Sequence, residues 1–299
     1  MGLFYNYESA GKGVAKNGPQ KKPFFKFWEL FANKFWKITH VNILFITFSG
    51  LFFVLAAMYL VSVTGNSYMW LIALPVFVGF GPASAASMQV MRKFTLEKPI
   101  FTWDTFIKAY KSNFRQALGI GIFDTALIAG VAYAANFYYQ QILTSSNSVG
   151  SYVLVGVTMA LSIYTYMSHF YIYLEMVSLT LSMKAAIKNA LILSLVGLKR
   201  NLITLFVSII LFLAVYLFFP YSSLVIPFAP FGWIAFLTAF NSYPLIQKHI
   251  INPYYEARGE RNPELPEVAE EDAIFVDRGG SEEAIKPKVQ TRGIGKIIK

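Results

Sequence analysis

Long apolar runs, separated by polar turns or by basic segments, dominate the pattern of this chain. A helix that crosses a bilayer needs about 20 mostly apolar residues, and six runs reach that length. Short turns without charge join the first run to the second, the third to the fourth and the fifth to the sixth. The pattern therefore predicts an all-α polytopic membrane protein with six transmembrane helices arranged as three hairpins. The six predicted spans are 41–64, 68–90, 116–138, 149–175, 201–219 and 224–246.

The basic residues indicate how these hairpins are oriented. The 26 Lys and Arg residues form four groups: seven before residue 41, six in 92–115, four in 184–200 and nine from Lys248 onward. The three short turns carry none of them. Because basic residues collect on the cytoplasmic side of a membrane, we predict a multi-pass cell-membrane protein with cytoplasmic N- and C-termini. The net charge of +10 then favours contact with anionic lipid headgroups over binding to nucleic acid.

Amphipathic segments precede three of the predicted spans. Residues 24–39, 101–115 and 180–200 place aromatic or aliphatic side chains at helical spacing among charged ones, which is typical of helices that lie in the headgroup region. Each runs directly into a span. Two interpretations stay open: a degenerate threefold repeat, or the ordinary composition of a membrane entry point.

The composition supports a membrane domain between two polar ends. The hydrophobic fraction is 56% and the charged fraction 14%, against about 45–50% and about 25% in soluble domains. We divide the chain into a basic N-terminal segment with its interfacial helix (1–40), a six-span membrane domain (41–250) and a cytoplasmic tail (251–299). The low hydrophobicity and mixed charge of the tail predict disorder. The chain has no cysteine, which excludes disulfides and thiolate chemistry.

Prolines and small residues interrupt the second and sixth predicted spans. Because proline removes an intrahelical hydrogen bond and clashes with the preceding turn, both helices are expected to kink or break. Small residues also let a neighbouring helix approach closely. Two interpretations stay open: a packing kink, and a pair of broken helices whose freed backbone groups bind a substrate at mid-membrane. The candidate residues are Gly79, Gly81, Pro82, Pro227 and Pro230.

Two acids and a histidine form a candidate polar site inside the predicted spans. A charge at the centre of a spanning helix costs about 2.5–3.5 kcal/mol on insertion scales. We expect Asp124 and His169 at similar depth on neighbouring helices, where they form either a site for proton coupling or polar-ligand binding, or a structural hydrogen bond. Glu175 ends its span, and we expect its carboxylate to reach water. Four tyrosines on the same span suit an aromatic belt or sugar stacking: Tyr164, Tyr166, Tyr171 and Tyr173.

Motifs for catalysis and for cofactors are missing from the sequence. It contains no G-x-S-x-G, no H-E-x-x-H and no G-x-x-x-x-G-K-[ST], which are patterns for serine hydrolases, zinc proteases and nucleotide-binding loops. With three histidines and no cysteine, little material remains for a metal site. We therefore predict a protein that is not an enzyme and that holds neither a cofactor nor a metal.

Several stretches resemble the YesL-like family of Firmicute membrane proteins. In that family a GPA(T/S)A segment precedes a basic connection, an aromatic FxW-type segment and a lysine–asparagine–aromatic segment that ends in QA. The resemblance covers about residues 1–250, and Thr105 between Asp104 and Phe106 departs slightly from the pattern. The stretches that carry it are Gly79–Ala85, Arg92–Phe94, Phe101–Phe106, Ala109–Ala117, Phe24–Leu30 and Lys34–Lys37.

The resemblance implies a role near carbohydrate metabolism, since the family is associated with gene clusters for carbohydrate uptake and degradation and has no established biochemical activity. The expected function is therefore an accessory or interaction component of a carbohydrate or solute uptake system. Sugar-transporter subunits or a sensor kinase would be its partners. The alternative is an independent secondary transporter whose mid-membrane site lies at the proline-interrupted second and sixth spans.

Overall fold

The computed structural model describes residues 21–144, 149–219, 221–265 and 297–298. Apart from one isolated bridge between Leu179 and Ile298, every regular element in these ranges is helical, which confirms the all-α class. Short 3-10 segments occupy Ser67–Ala73 and Tyr221–Leu224, and a π-helical turn occupies Gln247–Ile251. The α-helices are α1 (Pro23–Ser49), α2 (Leu51–Thr64), α3 (Val76–Thr95), α4 (Thr102–Thr144), α5 (Val149–Ser178), α6 (Met183–Val196), α7 (Leu198–Leu217), α8 (Pro230–Ile246) and α9 (Asn252–Glu256).

Four helical stretches are long and apolar enough to cross a membrane: Ser67–Thr95, α4, α5 and α7. A fifth appears if α1 and α2, which meet at an angle of 66°, are counted as one bent span. The sixth predicted span is shorter than expected, because α8 begins only at Pro230 and has 17 residues. Proline has no N–H to donate and therefore suits the first turn of a helix. The structure thus shows a membrane protein with four or five candidate spans.

The predicted helix boundaries around the first and third spans differ from the observed ones. Helix α1 joins the predicted lead-in segment 24–39 to the start of the first span, and it ends at Gly50 in a left-handed conformation (φ +80°). A methyl group at Gly50 would lie 2.7 Å from the backbone nitrogen of Val76, so the chain turns there beside the start of α3. Helix α4 likewise joins segment 101–115 to the third span without a break.

Buried side chains concentrate in one half of the helical domain. On α4 the last buried residue is Asp124, and on α5 the first is Met167. The remaining turns of both helices leave large apolar side chains exposed, for example Ile128 and Tyr133. Apolar side chains at this exposure suit contact with lipid, which is as apolar as they are. The packed half holds Ile38, Met91, Phe106, Leu174 and Phe236 at its centre.

Helices α3 and α4 cross backbone to backbone at a pair of glycines. A methyl group on Gly121 would lie 2.5 Å from the backbone nitrogen of Gly81, and one on Gly81 would overlap the carbonyl group of Ala117. Gly79, two residues earlier, faces the carbonyl groups of Phe48 and Ser49 on α1 in the same way. These positions therefore let three helices approach closely, as the packing interpretation of their small residues requires.

Part of the predicted tail folds against the helical domain. Residues 252–256 form α9, and the segment after it ends at Leu265. Farther along, the backbone N–H of Thr180 donates to the carbonyl oxygen of Ile297 at 2.8 Å. Most of the region predicted to be disordered, 266–296 and Lys299, lies outside the described residues, as does the segment before residue 21.

The glycine crossing predicts opposite effects for the same substitution at two nearby sites. Alanine normally stabilises a helix relative to glycine by about 1 kcal/mol, and Gly119 on α4 has open space around it. At Gly121 the added methyl group forces the helices apart, which typically costs about 1–3 kcal/mol. We expect Gly121→Ala to lower the thermal unfolding temperature in detergent, followed by tryptophan fluorescence, and Gly119→Ala to leave it equal or higher. Equal unfolding temperatures for the two variants would contradict the crossing.

Candidate functional site

The glycine crossing brings Asp124 into contact with α5. Asp124 lies three residues beyond Gly121, on the next turn of α4, and its side chain is only 6% exposed. One carboxylate oxygen, Oδ1, contacts Nε2 of His169, and the other, Oδ2, accepts a hydrogen bond from the hydroxyl of Tyr173 at 2.6 Å. The predicted pairing of Asp124 with His169 is therefore present, with Tyr173 as a third member.

Helical spacing explains why α5 presents two partners to one carboxylate. His169 and Tyr173 are four residues apart and lie on the same face of the helix. Thr165, one turn earlier, completes the row, and its backbone carbonyl oxygen lies 2.7 Å from Nδ1 of His169. Both imidazole nitrogens thus have protein partners, which orients the ring.

This hydrogen-bond pattern determines how many protons the pair holds. The Thr165 carbonyl can only accept, so Nδ1 of His169 carries a proton. The contact between Nε2 and Asp124 Oδ1 then shares one more proton, on either the imidazole or the carboxyl group. Without that proton, two lone pairs would face each other and a net negative charge would remain among apolar side chains, which is unfavourable. In the observed arrangement, the contact between Nε2 of His169 and Oδ1 of Asp124 therefore holds one shared proton.

The polar cluster lies beside a cleft among the apolar helices. The cleft has a volume of about 540 Å³, within the range of small-molecule sites. One wall is an apolar stripe of α4, from Leu127 to Ala135, which leads away from Asp124. Helix α8 also lines the cleft with Thr238, whose buried hydroxyl has no hydrogen-bond partner among the described residues. The arrangement suits a ligand with an apolar body and one group that forms hydrogen bonds.

One protein family matches part of this chain. Residues 41–137 match the family described as "Protein of unknown function, DUF624", which is less than half of the chain. The matched segment includes the glycine crossing and Asp124, but not His169 or Tyr173. Neither the curated proteins nor the solved structures gave a match.

Glu175 does not join this cluster. It lies on α5, six residues beyond His169, and is fully buried, whereas we expected its carboxylate to reach water. Helix α6 turns back along α5 and brings the side chain of Asn189 near the carboxyl group. Neither carboxylate oxygen of Glu175 has a hydrogen-bond partner within the described part of the chain.

The helix is broken at the prolines of the sixth predicted span, and a side chain of the protein forms hydrogen bonds with the backbone groups that this break leaves free. The side-chain amide of Asn42 on α1 donates to the carbonyl oxygens of Ile226 and Pro227, at 2.9 and 2.6 Å. Its Oδ1 accepts from the backbone N–H of Gly232 at 2.7 Å, just inside α8, which starts at Pro230. The backbone groups that we considered as substrate ligands are therefore bound by a side chain.

The second predicted span is interrupted near Pro75 and not at the candidate residue Pro82. Helix α3 is continuous through Pro82, and the interruption lies before it, where a 3-10 segment ends near Pro75. Pro82 is buried beside Gly81. Among the described residues that line the cleft, none is a candidate break or packing residue; Phe80 and Ser84 line it instead.

Sequence reasoning missed the roles of Tyr173, Asn42 and Thr238. Tyr173 carried a usable signal, because it lies one helical turn beyond His169. Asn42 was also visible as a lone amide in an apolar run, but its partners are more than 180 residues away. No group of three metal-binding side chains occurs in the ranges that the structure covers, so Asp124 and His169 have no third His, Cys, Asp or Glu ligand there.

Two substitutions at Asp124 should separate hydrogen bonding from proton sharing. Asparagine can still accept from Tyr173 and donate to Nε2 of His169, so we expect Asp124→Asn to cost less than about 1 kcal/mol. Alanine leaves both partners unsatisfied in a buried place, and we expect Asp124→Ala to cost about 2–3 kcal/mol. Thermal unfolding in detergent measures both. Asp104, exposed on the same helix, is the control, and Asp104→Ala should change stability by less than about 0.5 kcal/mol. If Asp124→Ala and Asp104→Ala have the same unfolding temperature, the hydrogen bonds of Asp124 with His169 and Tyr173 do not stabilise the protein.

Because Asn42 bonds to the backbone at the proline break, we expect its substitution to lower the stability of the protein substantially. Asn42→Ala removes three hydrogen bonds and leaves buried backbone groups without partners, which should cost about 2–4 kcal/mol. Thr47→Ala is the matched control on α1, because Thr47 is exposed and its hydroxyl bonds to the carbonyl group of Ile43 in its own helix. Chemical unfolding in detergent compares the two variants. A control as unstable as Asn42→Ala would contradict this role.

Proposed function

We propose that the chain is a six-span protein of the cell membrane, with three hairpins and both termini in the cytoplasm. The charge distribution supports this topology, because the basic segments alternate with uncharged turns along the sequence. Helix α8 serves as the sixth span together with the proline-containing segment before it. Seventeen residues of α-helix span about 26 Å, a few ångströms less than the hydrocarbon core.

We propose further that the protein is a proton-coupled secondary transporter of a small, largely apolar solute. The observation that carries this proposal is the buried Asp124–His169 pair beside a cleft of about 540 Å³. An ionisable pair within membrane spans is costly and is typical of proton relays and ligand sites. Loss of the shared proton opens the contact, and this change couples protonation to the shape of the cleft.

The accessory role in a solute uptake system is the second candidate. It is favoured by the packed interior at Gly81 and Pro227, where a transporter with broken-helix binding sites would need free backbone groups. The apolar cleft wall does not suit a sugar. If the link to carbohydrate uptake implied by the YesL-like resemblance holds, the sugar would be bound by a partner. No enzymatic activity, cofactor or nucleic-acid contact belongs to either proposal.

Cysteine accessibility tests the transport proposal directly, because the chain has no cysteine of its own. Ala132 and Ala129 are both exposed on α4, but only Ala132 lines the cleft. A charged methanethiosulfonate reagent needs a hydrated thiolate, which a lipid-facing cysteine does not provide. We expect Ala132→Cys in proteoliposomes to react about tenfold faster, or more, than Ala129→Cys. An imposed pH gradient should alter the rate at Ala132→Cys, and the added substitution Asp124→Asn should abolish that effect.

Two results would contradict the proposal of proton-coupled transport. If both cysteines react equally slowly, the cleft is filled by lipid or side chains and gives no aqueous pathway. If Ala132→Cys reacts quickly but without any effect of pH or of Asp124→Asn, the site binds water without proton coupling. In the first case, purification in mild detergent followed by mass spectrometry tests the accessory role. Stoichiometric recovery of a sugar permease or a sensor kinase would support it.

A further inference from the structure

A second buried charge cluster lies at the basic end of the helices, away from Asp124. Arg92 is in the last turn of α3, and its side chain is 3% exposed. Its partner is Glu264, 2% exposed, from the segment that follows α9. Burial of two charges costs several kcal/mol for each ion, and their attraction offsets this cost only when the surrounding donors are well placed.

Four donors surround the carboxylate of Glu264. Oε1 accepts from Nη2 of Arg92 and lies 3.8 Å from Nζ of Lys98. Oε2 accepts from the hydroxyl of Tyr243, and Nε2 of Gln247 lies 3.3 Å away. The guanidinium carbon of Arg92 also lies 5.1 Å from the centre of the Tyr243 ring. Side chains from α3, α8 and the π-helical turn therefore surround one carboxylate group with hydrogen-bond donors.

The segment 257–265, which we call the strap, is held in place by its polar residues. Its side chains are exposed except at Asn262, which is buried, and at Glu264. Asn262 bonds to Asn252 at 2.8 Å and accepts from the backbone N–H of Glu264 at 2.9 Å. Leu265, the one large apolar residue of the strap, is 44% exposed. Polar contacts, including those of Asn262 and Glu264, therefore attach the strap, and apolar burial contributes little.

The pocket offers more donors than a carboxylate uses. Arg92 donates to Glu264 through Nη2 alone, and its buried Nε has no partner among the described residues. The edge formed by Nε and Nη2 is a fork that binds carboxylate or phosphate with two parallel hydrogen bonds. Lys98 is near the site but beyond hydrogen-bond distance. A phosphate group has a third oxygen with which to use these donors.

We propose that Arg92, Lys98, Tyr243 and Gln247 form a phosphate-binding site in which Glu264 is the resident occupant, and that a phosphate group displaces Glu264 and releases the strap. The site lies at the end of the helices that carries the basic connections, where an anionic lipid headgroup or a free phosphate can reach it. This proposal is independent of the transport proposal, since it uses none of the residues of the Asp124 cleft.

Hydrogen-exchange mass spectrometry of the strap tests this proposal on the full chain in nanodiscs. Glu264→Gln keeps the size of the side chain but removes its charge, and we expect exchange in peptides covering 257–265 to become about tenfold faster or more. Glu260→Gln, an exposed position on the same strap, is the matched control and should exchange like the wild type. If Glu264→Gln also exchanges like the wild type, the carboxylate does not hold the strap and the proposal fails.

Two additions to the wild-type protein then distinguish the sources of phosphate. Inorganic phosphate is added to nanodiscs of neutral lipid, with chloride at equal ionic strength as the control, and phosphatidic acid is included in a second set of nanodiscs. Faster strap exchange with phosphate but not with chloride identifies a free phosphate ligand, and faster exchange with phosphatidic acid alone identifies a headgroup. Lys98→Gln, at a half-exposed position, should weaken either effect. No acceleration by either addition, or an equal effect of chloride, would overturn the proposal.

Discussion

Helices α3 and α4 touch backbone to backbone at Gly81 and Gly121, and the position of the polar site depends on this contact. The two helices come so close that neither glycine has room for a methyl group. One turn later, α4 presents Asp124 to α5, and α3 presents Ser84 to the same cleft. A larger residue at either glycine would separate the helices and shift the carboxylate relative to His169. The close packing at Gly81 and Gly121 thus also determines the position of the Asp124 carboxylate.

The need to satisfy polar groups inside the protein shapes the rest of the interior. Lipid offers no hydrogen bonds, so each backbone group freed by a proline must find a partner within the chain. Asn42 meets this need for Ile226, Pro227 and Gly232 with one side chain. Its location on α1 ties the first described helix to the start of α8. Three hydrogen bonds of Asn42 therefore bridge the break before α8.

The clusters around Asp124 and Arg92 differ in where the partners of the charged side chain come from. Asp124 is paired with His169 and Tyr173, which both lie on the neighbouring helix α5. Arg92 is paired with Glu264 from outside the spans, on a strap with little other burial. A group that can leave without unfolding a helix is suited to regulation, while both members of the Asp124–His169 pair lie within helices. The structure thus has one polar cluster between two helices and a second cluster that joins the helices to the segment after α9.

The length of the apolar runs alone determined the all-α class, and most of the predicted spans lie within observed apolar helices, because a bilayer requires a length and a hydrophobicity that the sequence shows directly. Spacing along α4 and α5 also placed Asp124 and His169 at one depth, since both residues can be counted from the same membrane face. Local pattern could not show that Gly50 ends α1, that Asn42 binds a break more than 180 residues away, or that Glu264 is buried against Arg92. These outcomes depend on which helices become neighbours. Only the tertiary structure decides that, because close packing selects among partners that look alike in sequence.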